Sequence, residues 1–199
     1  MIAKKISGFI GITRLDKPIG IYLVLWPALI ALLISSDAFI NYSYLIIIIV
    51  GSILVRSTGC VINDIFDMEL DKQVKRTKDR PLASGQLSMR EAYFIFLLLS
   101  LFSLLLVSSL GKQALLVCLF FSIFIVSYPL TKRFLKIPQL FLGVTFGSCI
   151  PIVFSMNEKL FDVSMWILYL ANFFWIVAYD SFYAMSDYDD DNKLGVNSS

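Results

Sequence analysis

The stretch that decides the fold is YLIIIIVGSILVRSTGCVI, residues 44–62, followed directly by the acidic motif Asn63-Asp64-x-x-Asp67-x-x-x-Asp71. An apolar run of this length is what a helix needs to cross a hydrocarbon layer about 30 Å thick. One charged residue, Arg56, interrupts the run. The stretch therefore predicts a membrane-spanning helix that ends in carboxylates at one membrane surface.

Five further apolar segments of similar length occur along the chain. Its 199 residues are 58% hydrophobic and 16% charged, with a mean hydropathy of +0.78, a composition that excludes an ordinary soluble domain. We predict an all-α fold, a polytopic transmembrane helical bundle that forms one domain over residues 1–199. The predicted spans are Pro18–Ser36, Tyr44–Ile62, Ala92–Leu110, Ala114–Pro129, Pro138–Met156 and Met165–Tyr183.

Positive charge alternates between the links that join these spans. Lys and Arg are frequent before the first span and after the second and fourth, whereas each of the other links carries at most one. The positive-inside rule then places the N-terminus and both acidic span ends on the cytoplasmic side. We expect an integral protein of the bacterial inner membrane, or of its mitochondrial equivalent. No cleaved signal peptide is expected, because no compact apolar region with a small-residue cleavage site precedes the first span.

The first acidic motif has the spacing of a helix face. If the helix continues, Asp64, Asp67 and Asp71 recur at i, i+3 and i+7, where like charges repel and call for a compensating cation. Carboxylates with the amide oxygen of Asn63 are hard ligands, suited to Mg²⁺, which commonly takes one or two carboxylates plus phosphate oxygens. The motif therefore predicts a site for a metal ion and a phosphorylated substrate.

A second acidic cluster ends the sixth span. Asp187 and Asp191 repeat the i, i+4 step, and Asp180 lies two turns earlier on a similar face. Two acidic helix ends on the same side of the membrane could hold two metal ions around one diphosphate.

The basic segment KQVKRTKDRP, residues 72–81, could bind the oxygens of the diphosphate, because Arg binds phosphate bidentately and Lys adds a point charge. Arg56 and Asp180 are charges inside spans, which usually face a polar cavity, and we predict that both contact the acidic or phosphate site. A solvated basic loop would be expected from topology alone. Two matched acidic clusters and a basic loop on one side are harder to explain that way.

Histidine is absent, and the cysteines lie far apart in apolar stretches, at Cys60, Cys118 and Cys149. A disulfide framework, a zinc site and a histidine base are therefore not expected. Any chemistry must use carboxylates, Lys, Arg, Tyr or a hard metal ion.

The paired motifs resemble those of the UbiA superfamily of intramembrane prenyltransferases, and the resemblance runs along essentially the whole chain. Its first signature, NDxxDxxxD, is present at residues 63–71, and its second, DxxYxxxDxxxD, is present as Asp180, Tyr183, Asp187 and Asp191. The segments RLDKPIG (14–20), LWP (25–27), VKRT (74–77) and RPL (80–82) are similar to the branch that prenylates 4-hydroxybenzoate in ubiquinone biosynthesis.

The resemblance implies a bundle around a cavity that opens laterally to lipid, and a Mg²⁺-dependent enzyme. Its substrates would be polyprenyl diphosphate and 4-hydroxybenzoate, which would be prenylated on the ring carbon ortho to its hydroxyl. The enzyme would be surrounded by membrane lipid, and no nucleic-acid partner is expected. By position, the metal and the diphosphate would be held by Asp64, Asp67, Asp71, Asp187 and Asp191. Asn63 would assist, with Tyr183 and Asp180 in the second motif. Arg76 and Arg80 would be basic contacts of the loop, and Arg14 and Asp16 are candidates near the pocket for the aromatic acid.

The chain departs from this family at its C-terminal end. The family has about nine spans, whereas six are found here, and Gly195-Val-Asn197-Ser-Ser199 stands where the family continues with Gly-x-Lys-Ser-Thr. We expect a C-terminally shortened member. The alternatives are an inactive or partner-requiring fragment, or a related prenyltransferase with another acceptor. A divalent-cation transporter would want acidic residues deep in several spans, whereas most here cluster at one face.

Overall fold

A computed structural model describes residues 2–37, 39–131, 135 and 137–185. Within these ranges the protein is all-α, with eight helices and no strand, which confirms the predicted fold class. The helices are α1 (Ile2–Thr13), α2 (Ile19–Ser35), α3 (Tyr42–Asp71), α4 (Met89–Ser108), α5 (Lys112–Thr131), α6 (Pro138–Gly147), α7 (Cys149–Met156) and α8 (Val163–Met185).

Each predicted span corresponds to an apolar helix or pair of helices. Five stretches are long and apolar enough to cross a membrane: α3, α4, α5, the continuous pair α6–α7 and α8. The first predicted span is α2, a shorter apolar helix of 17 residues. The chain is therefore an integral membrane protein, built as a polytopic helical bundle.

Helix α3 carries the first acidic motif beyond its apolar segment. It begins at Tyr42, where Asn41 caps it by accepting a hydrogen bond from the backbone of Ser43 at 2.9 Å. Its 30 residues extend about 45 Å at 1.5 Å per residue, which exceeds a hydrocarbon layer of about 30 Å. The helix therefore has length to spare, and it remains helical through the motif to Asp71, as the spacing predicted.

Two features were not predicted. The fifth span is interrupted at Ser148, which separates α6 from α7 and whose hydroxyl donates to the carbonyl of Thr145 at 2.6 Å.

Helix α1 was also missed, because it is short and contains two glycines, which lower helix propensity. Those glycines give close packing: a Cβ on Gly8 would lie 2.9 Å from the side chain of Leu87, and one on Gly11 would lie 2.8 Å from Pro81.

Apolar packing occurs in two clusters on either side of the acidic motif. One joins α2, α7 and neighbouring helices around Leu32, Ile150 and Phe154. The other joins α1, α3, α4 and the α3–α4 loop around Ile12 and Val61. The second cluster packs the end of α1 against α3 and α4 beside the first motif.

Helices α6 and α8 approach closely because α6 has glycines at the contact. A Cβ on Gly143 would lie 2.8 Å from the ring of Phe173, and one on Gly147 would lie 2.9 Å from that of Tyr169. This packing brings α6 beside the middle of α8, at Tyr169 and Phe173, before the second motif begins at Asp180.

Candidate functional site

A cavity of about 1440 Å³ lies between α1, α2, α3, α5, α6, α8 and the α3–α4 loop. Every residue proposed for the site from the sequence that the structure describes lines it: Arg14, Asp16, Arg56, Asn63, Asp64, Asp67, Asp71, Arg76, Arg80, Asp180 and Tyr183. The remaining two, Asp187 and Asp191, lie outside the described residues.

Asp64 is at the centre of an ion-pair network on this cavity wall. It is 1% exposed, and one guanidinium nitrogen of Arg14 donates to both of its carboxylate oxygens, at 2.7 and 2.9 Å. Arg80 donates to the same carboxylate at 3.2 Å. A buried carboxylate requires such compensation, since an unpaired charge in this environment would be strongly destabilising.

Arg80 connects the two ends of the motif. The nitrogen that reaches Asp64 also donates to both carboxylate oxygens of Asp71, at 2.8 and 3.0 Å. The hydroxyl of Thr77 donates to the backbone carbonyl of Asp71 at 3.2 Å and ties the basic loop to the end of α3. The loop therefore folds back over the acidic helix end.

Arg14 is held in place by the end of α1. Its backbone has φ 57°, the left-handed region that costs a non-glycine residue about 1–2 kcal/mol, and its guanidinium also donates to the carbonyl of Gly11. Helix α1 is fixed at its other end by an ion pair between Lys5 and Glu91 at 2.7 Å. Arg14 thus has a strained backbone and a side chain that binds the buried carboxylate of Asp64. Backbone strain of this kind is typically retained at functional sites.

The third carboxylate of the motif, Asp67, has a different environment. It is 7% exposed and accepts a hydrogen bond from the side-chain amide of Asn63 at 3.0 Å. No group of three His, Cys, Asp or Glu side chains among the described residues is arranged to hold a metal ion by itself. Mg²⁺ needs only one or two carboxylates when phosphate oxygens complete its shell, and these all-oxygen donors fit that ion.

The described residues of the second motif, Asp180 and Tyr183, line the same cavity as the first motif. The guanidinium of Arg76, on the basic loop, lies 5.5 Å from the ring centre of Tyr183 on α8. Tyr183 also stacks on Tyr179 at 6.2 Å, and the half-buried Asp180 lies on the same wall. The loop that covers the first motif therefore reaches the helix that carries the second.

Arg56 lies away from the carboxylates. Its guanidinium carbon is 5.5 Å from the ring centre of Phe146 on α6, and its Nε is buried without a hydrogen-bond partner. In the part of the chain that the structure describes, no ion pair of Arg56 is found. Arg56 therefore does not contact a carboxylate of the first motif, and its predicted contact with the phosphate site stays a prediction. Asp16, in contrast, is exposed at the rim.

Several lining residues were missed by sequence reasoning. Gln139 is 1% exposed, and its Oε1 has no hydrogen-bond partner; as a polar residue within an apolar segment it could have been noticed. Thr77 lay within a motif that was quoted, but its bond to the backbone gave no sequence signal. Phe146 could not be distinguished from the many other aromatic residues.

Residues 24–199 match the model of the UbiA prenyltransferase family. The chain belongs to this family. The resemblance found in the two acidic motifs is thereby confirmed.

UbiA-family proteins of known name cover the whole of the chain. The 4-hydroxybenzoate octaprenyltransferase of Dechloromonas aromatica is 46% identical over 100% of this chain and 67% of its own length. The protein of the same name from Nitrosomonas eutropha is 42% identical over 99% of this chain and 69% of its own length. The chain therefore spans about two thirds of the length of these curated relatives.

Solved UbiA structures share the fold. The apo structure of a UbiA homolog from Aeropyrum pernix K1 matches with a TM-score of 0.77 and 25% identity, over 89% of this chain and 67% of that one. A UbiA homolog from Archaeoglobus fulgidus bound to GPP and Mg²⁺ matches with a TM-score of 0.77 over 96% of this chain and 67% of that one. At 18% identity the latter shows the fold alone.

Proposed function

We propose that the chain transfers a polyprenyl group from polyprenyl diphosphate to 4-hydroxybenzoate, ortho to its hydroxyl, in ubiquinone biosynthesis. The observation that carries this proposal is the single cavity in which buried carboxylates, arginines and the start of the second motif meet. The name shared by the relatives, 4-hydroxybenzoate octaprenyltransferase, supports the choice of acceptor and of a polyprenyl donor.

The acidic end of the cavity would bind the diphosphate. Mg²⁺, when bound, would neutralise the charge that develops on the leaving diphosphate. Asp67, which accepts a hydrogen bond from Asn63, would hold the ion together with Asp64 and Asp71, and phosphate oxygens would complete its shell. Asp187 and Asp191 would complete the set by position. Arg80 and Arg76 would contact phosphate oxygens, which suit the planar guanidinium.

The deeper part of the cavity would bind the aromatic acid. Arg56 carries a charge that no carboxylate of the described chain compensates, and an anionic ligand would supply the missing partner. The ring of Phe146 beside it offers a face for an aromatic acceptor. Arg56 therefore suits the carboxylate of 4-hydroxybenzoate better than Arg14, which is already paired with Asp64.

The residues between these ends suit the reaction. Breaking the C–O bond of the donor leaves an allylic cation and diphosphate; the ring carbon ortho to the hydroxyl attacks the cation, and the ring then loses its proton. An allylic cation needs a wall that stabilises it without capturing it, and aromatic faces do so by cation–π attraction. Tyr179 and Tyr183 stack on each other at the cavity wall near the second motif and could provide such faces.

The proposal includes a placement in the membrane. The alternation of basic links would put the N-terminus and both acidic motifs on the cytoplasmic side of a bacterial inner membrane. Diphosphate would then enter from the cytoplasm while the prenyl chain stays in lipid. The whole of residues 1–199 would act as one domain.

The test is prenyl transfer in membranes that contain this chain, with radiolabelled 4-hydroxybenzoate, a polyprenyl diphosphate and Mg²⁺. We expect prenylated product that disappears when EDTA removes the divalent metal. Product that resists EDTA would contradict metal dependence. If the inserted chain makes no product, activity of this chain alone is contradicted. If the remaining third of a relative, supplied as a separate chain, then restores product formation, the chain is a partner-requiring fragment.

A further inference from the structure

Gly20 lies against Arg56, an arginine of the cavity wall that forms no ion pair with a carboxylate of the described residues. It is buried in the first turn of α2, at the end of the RLDKPIG segment. A Cβ added to Gly20 would lie 2.8 Å from Nη2 and 2.9 Å from Cζ of Arg56, and closer still to Nε. The guanidinium of Arg56 therefore rests directly on the backbone of α2.

Space, and not backbone conformation, explains this glycine. Gly20 lies within a regular helix, where glycine is about 1 kcal/mol less favourable than alanine. Its φ is not in the left-handed region that favours glycine, unlike that of Gly85 or Gly111. An alanine would stabilise the helix if the side chain of Arg56 did not occupy its place.

The guanidinium is enclosed on its other side by α6. The ring centre of Phe146 lies 5.5 Å from the guanidinium carbon of Arg56. We call the surroundings of this guanidinium its seat; α2 contributes Gly20, α3 contributes Arg56 itself and α6 contributes Phe146. This seat fixes the guanidinium in the cavity without a carboxylate from the described part of the chain.

We propose that Gly20 is a positioning residue that determines acceptor specificity, because its missing side chain seats Arg56 where it can bind the carboxylate of the acceptor. The inference rests on the proposed function, in which a carboxylated phenol is the acceptor. With Gly20→Ala the guanidinium must move, and the chain loses its preference for a carboxylated phenol over a neutral one. The diphosphate end of the cavity is not affected.

The experiment measures equilibrium binding to the purified chain in lipid nanodiscs, without prenyl diphosphate. The probes are 4-hydroxybenzoate and its neutral analogue 4-hydroxybenzamide, and the variants are G20A, R56Q and the double variant. We expect G20A to weaken 4-hydroxybenzoate binding by about 10-fold to 100-fold, as expected for charge-assisted hydrogen bonds, and to change 4-hydroxybenzamide binding less than about twofold. The double variant should bind no more weakly than R56Q, because Gly20 acts through Arg56.

Gly51→Ala is the matched control. It makes the same change within a membrane helix, but its Cβ would meet only Leu106, at an ordinary contact distance of 3.5 Å. G51A should bind both probes like the unmodified chain.

Three outcomes overturn the inference: unchanged 4-hydroxybenzoate binding in G20A, equal weakening of both probes, or effects of G20A and R56Q that add. Failure of the proposed function gives a different pattern. If the chain binds 4-hydroxybenzoate with the expected coupling between Gly20 and Arg56 but transfers no prenyl group, the inference stands and only the transfer activity is contradicted.

Discussion

The two ends of the cavity differ in how their charged side chains are paired. At the end of α3, Asp64 and Asp71 of the first motif pair with the guanidinium groups of Arg14 and Arg80. Deeper in the bundle, Arg56 has an aromatic ring and a helix backbone beside it and no carboxylate from the described residues.

This difference indicates what each end is suited to bind. An uncompensated charge in a poorly solvated site is costly, so the deeper end favours an anionic ligand, whereas the acidic end presents paired carboxylates and arginines to a metal ion and phosphate. The acidic end suits a cation that brings phosphate with it, whereas the deeper end suits an organic anion. The cavity can therefore hold two anionic substrates without placing their charges together, and changes that alter either end test this view.

The largest effect is expected from Asp64→Asn, which removes the central charge of the acidic end. We expect transfer activity to fall by roughly 10²–10³-fold, as when a preorganised electrostatic group is removed from an active site. Binding of 4-hydroxybenzoate should change much less, because Arg56 is untouched. Initial rates and equilibrium binding, measured on the same membranes, check both parts.

The control for this prediction is Asp162→Asn. Asp162 directly precedes α8, at the end of that helix opposite to Asp180. Asp162 is exposed and accepts hydrogen bonds from the backbone and hydroxyl of Ser164 at 2.8 and 2.7 Å, which an asparagine oxygen can also accept. Its activity should match that of the unmodified chain. Equal losses in the two variants would show that the acidic end has no special role.

A smaller effect is expected from Arg80→Gln, which removes the cation that joins Asp64 and Asp71. Hydrogen bonds to charged groups contribute about 1.5–3 kcal/mol, so the thermal midpoint should fall. Mg²⁺ should restore more of the midpoint in this variant than it adds to the unmodified chain, because a metal can replace the lost positive charge. Exposed Arg90→Gln serves as the control, and an equal response of both variants to Mg²⁺ would contradict this role of Arg80.

Most of the fold could be predicted because it depends on properties of short segments. Apolar length identified α2–α5, the α6–α7 pair and α8, and the spacing of the first motif placed its carboxylates on one helix face. Helix α1 could not be predicted in this way. Its stability depends on contacts of Gly8 and Gly11 with residues more than 60 positions away.

The sequence did not predict which of the candidate site residues pair with each other. The spacing selected Asp64, whereas its partner Arg14 is 50 residues distant and reaches it only through a left-handed backbone at the end of α1. The seat of Arg56 requires three helices to pack before its parts meet, and no local pattern marks Gly20 or Phe146 as its neighbours. The charged residues could therefore be identified from the sequence, but the residues that contact them could not.

The third prediction concerns the support of the acidic end. In Gly11→Ala, a Cβ 2.8 Å from Pro81 would push α1 away from the α3–α4 loop, and with it Arg14 from Asp64. Overpacking of this kind costs about 1–3 kcal/mol. We expect a lower thermal midpoint and a several-fold loss of transfer activity with unchanged 4-hydroxybenzoate binding, again with Gly51→Ala as the control. A loss of acceptor binding would show that the two ends are not independent.

The smallest effect is expected outside the cavity, at the ion pair between Lys5 and Glu91. Their side chains are 44% and 39% exposed, and Glu91 also accepts hydrogen bonds from Ser88 in the capping box of α4. Exposed pairs contribute about 0–1 kcal/mol and are screened by salt. Lys5→Gln should therefore shift the thermal midpoint by at most a few degrees at low salt, the shift should vanish at high salt, and transfer activity should be unchanged. A marked loss of activity in this variant would mean that the exposed pair controls the position of Arg14, and the pairing of Asp64 would then depend on how α1 is held against α4.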